Sequence, residues 1–196
     1  RGVVRRRNEL AHVLARHHRA GGQSARAVRY LEVLARQAAS RGDLEGGLRR
    51  LTEARSTLME RPRNRASVTR TLRILLAEID LLLDFGKARE ALDRSDPEAA
   101  RAARNSELMQ AELTLRRATA LFALSRLEDA LDALAEMPGR APTRSLAARF
   151  LELEGRTRVA LGEFVMARAE QEEALPLDED SGHRGLARSL DARIGV

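Results

Sequence analysis

Nowhere in this chain do apolar and polar residues alternate with period two; the apolar ones recur every three and four positions. Leu72, Leu75, Leu76, Ile79, Leu82 and Leu83 fall on one face of a helix that Gly86 ends. Leu44, Leu48, Leu51 and Leu58 repeat the pattern behind Gly42-Asp43, and Leu127, Ala130, Leu131 and Leu134 repeat it ahead of Met137-Pro138-Gly139. No segment calls for a strand, so the spacing predicts an all-α fold. Composition points the same way. Of the 35 basic residues only Lys87 is lysine, and the Arg, Ala and Leu that dominate the chain all rank high in helix propensity. Arginine at this level matches a GC-rich coding bias and is no sign of nucleic-acid binding by itself, because a guanidinium needs a placed partner.

The periodicity predicts helices over 3–20, 24–41, 44–60, 66–85, 88–94, 97–104, 106–124, 127–137, 143–161, 164–175 and 183–194. They read as long-then-short pairs. Asp96-Pro97 reads as an N-cap with Pro at the first helical position, and Asn105-Ser106 with Glu107 can cap the helix that follows. Arg61-Pro62-Arg63-Asn64 and Pro138-Gly139-Arg140-Ala141-Pro142 are the clearest linkers, and both are too short to separate independent domains. The expected organisation is one helical domain over 1–196 with hairpin units near 3–41, 44–85, 88–104 (irregular), 106–137 and 143–175, and a partial unit at 183–196. The chain begins at Arg1, and Leu186, Leu190 and Ile194 run out with no C-cap behind them. A segment of a longer protein is expected.

A phrase recurs at the ends of the long helices: AEIDLLLDFGKAREA from Ala77, RATALFALSRLEDA from Arg117 and EGRTRVALGEFVMA from Glu154. A small or apolar residue (Ile79, Ala118, Gly155) stands seven positions before Gly86, Ser125 or Gly162, and an alanine (Ala91, Ala130, Ala167) stands five after. Ala15, Gly22 and Ala27 keep the same intervals. Small residues on facing sides of a helical hairpin let two backbones approach closely, and the turn residue can take the left-handed conformation in which glycine is unstrained.

This spacing resembles the tetratricopeptide repeat family, and ALFALSRLEDALDALAEMP, with its closing Pro138, resembles it most. The intervals between Gly22, Gly42, Gly86, Ser125 and Gly162 are 20, 44, 39 and 37 residues, whereas the standard repeat is about 34. His18, Leu82, Leu121 and Arg158 stand where the family favours an aromatic. Longer, degenerate helices of this kind are similar to the repeat segments of large bacterial signalling ATPases and transcriptional activators. The resemblance implies an α-solenoid, a right-handed superhelix of antiparallel hairpins, whose concave face binds a peptide or a helix. It places Arg73, Asp80 and Asp84, then Glu112, Thr119 and Phe122, then Arg149, Glu152 and Arg156 along a mixed-charge groove. The same residues could equally be solvated faces of amphipathic helices.

Chemistry is hard to find. The chain has no Cys, which removes disulfides and thiolate metal sites. His12, His17 and His18 lack the spacing of four that puts two imidazoles on one helix face, so His18 is expected to fill a core slot and the other two to lie at the surface. Gly21-Gly22-Gln23-Ser24 has no phosphate-loop lysine, and Asp178-Glu179-Asp180-Ser181-Gly182 departs from a calcium loop, with Ser189 where the bidentate Glu should be. No nucleophile motif is present. The expectation is a non-catalytic chain with no cofactor and no metal.

No run reaches the ~18 apolar residues of a membrane span, and no signal-peptide pattern opens the chain; no membrane partner and a cytoplasmic location are expected. Charge is distributed unevenly. Residues 1–75 carry 18 basic and 6 acidic side chains, a net of +12, while the remainder nets −6. Arg61, Arg63, Arg65, Arg70 and Arg73 follow one another with no intervening acid, and Glu170, Glu172, Glu173, Asp178, Glu179 and Asp180 with no intervening base. Such fields steer association and are screened by salt. The basic half could meet an adjoining acidic domain, nucleic acid, or the acidic half of another copy. Base stacking has little to work with, since only Tyr30 is aromatic there. The leading expectation is a protein-interaction or ligand-sensing scaffold within a larger bacterial regulatory protein; the alternative is a nucleic-acid-binding helical array that uses the basic stretch.

Overall fold

The computed structural model describes residues 2–60, 65–95, 103, 106–136 and 141–169, with the side chains of 2–9 and 65 left aside. Among the described residues every regular element is a helix: α1 (Gly2–Ala20), α2 (Ser24–Ala39), α3 (Leu44–Met59), α4 (Arg65–Asp84), α5 (Ala88–Arg94), α6 (Glu107–Ala123), α7 (Leu127–Ala135) and α8 (Arg144–Leu161). Residues 164–169 are helical as well. The all-α expectation holds. The helix expected over 183–194 lies outside the described residues, as do the Asp96-Pro97 cap and most of 97–104. No described helix is long and apolar enough to cross a membrane.

Three helices start on a side-chain cap. Asp43, Ser106 and Thr143 accept hydrogen bonds from the backbone N–H groups of Gly46, Met109 and Leu146, satisfying donors that the first turn leaves without a helical partner.

Five turns share one geometry. Gly22, Gly42, Gly86, Ser125 and Gly162 have φ of 68°, 79°, 71°, 58° and 82°. In each, the turn residue donates its N–H to the carbonyl three residues back, at 2.9–3.0 Å, and the next residue donates five back: Gln23 to His18, Asp43 to Ala38, Lys87 to Leu82, Arg126 to Leu121 and Glu163 to Arg158. This is the Schellman arrangement, which closes carbonyls that a helix end otherwise leaves open. The residues seven before and five after these turns are all buried: Ala15 and Ala27, Ile79 and Ala91, Ala118 and Ala130, Gly155 and Ala167. Gly42 obeys the same rule through Ala35 and Gly47.

The expected long-then-short pairing holds for the 106–137 unit, where α6 has 17 residues and α7 has 9. It fails for the 44–85 unit, where α3 has 16 residues and α4 has 20.

The contacts divide the chain into two compact units, Arg1–Lys87 and Ala88–Val196, with the boundary at the Gly86 turn. In the first, α1 packs on α2, α2 on α3 and α3 on α4. Its core gathers Val28, Leu31 and Ala35 of α2, Leu51, Ala54 and Leu58 of α3, and Ile74 and Leu81 of α4. Gly47 sits where these helices meet. A Cβ there would come within 2.7 Å of Leu81 Cδ2 and 3.5 Å of the Ala35 carbonyl oxygen, so the missing side chain is what allows so close an approach. In the second unit α5 packs on α6, α6 on α7, α7 on α8 and α6 also on α8. Leu115, Leu121, Leu134, Leu146, Phe150 and Leu153 surround Ala118 and Ala130, neither of which exposes any surface.

Candidate functional site

The nine expected groove residues divide between the two units. Glu112, Thr119 and Phe122 of α6 and Arg149, Glu152 and Arg156 of α8 belong to the second, where five of the six make contacts in two groups. Glu112 pairs with Arg116 one turn on and receives Arg149 across the helices at 3.4 Å. Further along, the Arg156 guanidinium lies over the Phe122 ring, 5.1 Å from its centre, while Glu152 stands 3.8 Å from Arg156. A cation over an aromatic face is attracted by the ring quadrupole. The two cross-helix contacts follow the same order along α6 and α8, early with early and late with late. Thr119 stands apart. Its hydroxyl donates its proton within α6, to the Leu115 carbonyl at 2.7 Å.

The α4 residues lie in the first unit. Asp80 and Asp84 line a cleft of about 420 Å³ between α2 and α4, together with Glu32, Ala35, Arg36, Ala39, Leu51, Ala77 and Leu81. Arg73 is exposed and instead borders a shallow recess with Ala66, Thr69 and Arg70. The α2 side of the cleft was missed by sequence reasoning. Applying the seven-and-five interval to Gly42 would have pointed at Ala35, and so at α2 as a wall.

Of the basic stretch, Arg61 and Arg63 lie outside the described residues, and Arg65 opens α4 with its side chain undescribed. Arg70 is paired with Glu32 of α2. The acidic run from Glu170 to Asp180 is also outside the described residues.

His18 does not fill a core slot: it is half-buried at the α1–α2 edge, its ring stacked on Tyr30 at 5.5 Å and its Nδ1 2.8 Å from the Gln23 side-chain oxygen. An imidazole beside a turn can share its face with a neighbouring ring and keep its polar edge wet. His12 and His17 are exposed, as expected. The His12 pKa is lowered from 6.5 by desolvation first and by Arg50 second, with Glu53 opposing. Among the described residues no group of three or more His, Asp or Glu could hold a metal ion.

A second cavity of about 860 Å³ lies among α5, α6 and α7. Its arginines are committed to its own acids: Arg117 to Glu136 at 2.9 Å and Arg126 to Asp129 at 2.6 Å. No family model, no curated protein and no solved structure matches the chain.

Proposed function

We propose that this chain is a non-catalytic protein-interaction module, a series of tetratricopeptide-like antiparallel hairpins stacked into a right-handed superhelix, which docks a peptide or helix along the faces of its first helices as part of a larger bacterial regulatory protein. The observation that carries this reading is the ordered pairing of Glu112 with Arg149 and Phe122 with Arg156. Equivalent helices of successive hairpins in such an array lie side by side and point the same way, and contacts in matching order are what that arrangement produces. The five identical turns, each flanked by buried small or compact residues, supply the repeated joint.

Selection of a displayed peptide library against the whole chain tests the role. The expected result is enrichment of a shared sequence pattern that Phe122→Ala with Arg156→Glu abolishes, at unchanged helical circular dichroism. Enrichment indifferent to these substitutions, or none at all, would overturn the proposal. Small-angle scattering tests the stacking, which a profile of a compact sphere-like particle would contradict.

A second reading, nucleic-acid binding through the basic stretch, is favoured by the exposure of Arg73 beside Arg70. It is opposed by the pairing of Arg70 with Glu32. Titration with duplex and single-stranded oligonucleotides at two salt concentrations separates the readings, because phosphate contacts give a steep salt slope.

A further inference from the structure

We propose that the cavity among α5, α6 and α7 is a docking slot for a cationic peptide segment in which an apolar side chain is flanked by two lysines or arginines. This surface is separate from the face of α6 that carries Glu112 and Phe122, so the inference goes beyond the groove of the interaction-module reading.

The cavity belongs to the second unit, and its form follows from helix geometry. Gln110, Leu113, Thr114, Arg117 and Leu121 recur every three or four residues and turn one side of α6 towards it. Glu112 and Thr119 fall on the opposite side of the same helix. Both α5 and α7 pack on α6, so α6 supplies the floor and the other two supply the walls. From Gln110 to Leu121 the floor runs about 16 Å, the reach of roughly five residues of extended chain. Leu113, Leu121 and Ala133 are buried and Leu92 is half-buried, which makes the base of the slot apolar. Its volume, about 860 Å³, falls within the range of roughly 300–1,000 Å³ typical of ligand pockets.

Charge selects the occupant. The lining carries four carboxylates, Asp93, Asp129, Asp132 and Glu136, against two guanidiniums, so two negative charges remain in excess with both arginines counted. Arg117 pairs with Glu136 and Arg126 with Asp129. That leaves Asp93 on α5 and Asp132 on α7, both exposed and without an ion pair among the described residues. They stand on different walls, with the apolar floor between them. An anionic segment would meet both aspartates, and a wholly apolar one would take water from them without replacing it. A segment lying along the floor can sink one apolar side chain towards Leu113 and Leu121 while its neighbours stay at the mouth. There the long stems of lysine or arginine carry a charge to each wall. Complementarity of this kind selects partners by charge as well as by shape.

The test uses the full chain and three capped hexapeptides built on Lys-Leu-Lys, Glu-Leu-Glu and Lys-Ser-Lys, followed by calorimetry and backbone amide shifts. The Lys-Leu-Lys peptide is expected to bind and to shift amides around Leu92, Leu113 and Ala133. The Glu-Leu-Glu peptide should leave them unmoved, and Lys-Ser-Lys should bind several-fold more weakly because it buries no apolar side chain. Asp93→Lys/Asp132→Lys exchanges two attractions for two repulsions and is expected to weaken binding about tenfold. Glu45→Lys, a like reversal at an exposed site of α3, should leave binding unchanged. Circular dichroism confirms the fold of each variant; should the double variant fail to fold, Asp132→Asn decides, with an expected loss of about threefold. Absence of Lys-Leu-Lys binding, equal binding of any two peptides, indifference to the aspartate substitutions, or an equal loss in Glu45→Lys overturns the slot. If library selection still enriches a pattern that depends on Phe122 and Arg156, the slot fails alone; if that selection also yields nothing, the interaction-module reading fails with it.

Discussion

The Arg55 guanidinium stands 3.7 Å from the carboxylate of Glu78, whose side chain exposes no surface. A buried carboxylate is tolerated only where neighbours compensate its lost hydration, and removing one compensating charge leaves that desolvation uncovered. Loss of one partner of a wholly buried pair costs about 3–5 kcal/mol. Arg55 keeps more than a quarter of its side chain in water, so Arg55→Ala is expected to destabilise the first unit by less, about 1–3 kcal/mol. Urea denaturation of Arg55→Ala beside Arg55→Ala/Glu78→Met measures this. The double variant should recover most of the loss, and failure to recover would show that Glu78 is held chiefly by other groups.

The five equivalent turns allow a backbone effect to be read without a packing effect. At Gly86, with φ of 71°, a Cβ would meet nothing within 4 Å. Gly86→Ala should therefore cost only the left-handed penalty, about 1–2 kcal/mol. Ser125 already bears that penalty at φ 58°, so Ser125→Gly is expected to stabilise by about 0.5–1 kcal/mol after the greater freedom of glycine in the unfolded chain is subtracted. Thermal melts of both variants should move in opposite directions, and movement in the same direction would contradict the shared geometry.

Ala130 lies at the crossing of α6 and α7 with no exposed surface. Ala130→Glu adds both volume and charge there, and each alone is destabilising in a close-packed interior. A loss of at least about 3 kcal/mol is expected. A melt superimposable on that of the parent chain would mean that the small residue is not what sets the approach of the two helices.

His12 introduces a pH dependence whose sign follows from its environment. Its folded-state pKa lies below 6.5, so between that folded value and 6.5 the unfolded chain binds more protons. Stability is then fully present above 6.5 and declines as pH falls towards the folded pKa. His12→Gln should flatten that part of the stability profile. A steeper decline in the variant would reverse the assignment.

Helices were legible because their apolar residues must repeat every three to four positions to reach a shared core. The Gly22, Gly86, Ser125 and Gly162 turns were legible because a left-handed residue flanked at fixed distances by small ones leaves a chemical trace. The trace was equally present at Gly42, where Ala35 and Gly47 stand at the same intervals. Phe122 and Arg156 were expected along one groove, but their direct contact was not foreseen. The cleft was not, because it arises from alanines on α2 and α4 that lie about forty residues apart in sequence. The neutralisation of Arg70 was hidden for the same reason, since Glu32 is 38 positions away. Charge runs show where ions are, and only tertiary packing shows which of them are already answered.

The packing of the first unit, in which α1 rests on α2, α2 on α3 and α3 on α4, gives that unit an order of opening. α1 can fray while α2 and α3 keep their shared interface, so its amides are expected to lose protection against hydrogen exchange well before those of α3. Short loops between touching elements also keep the entropy of closure small, which favours rapid folding that spreads from neighbour to neighbour.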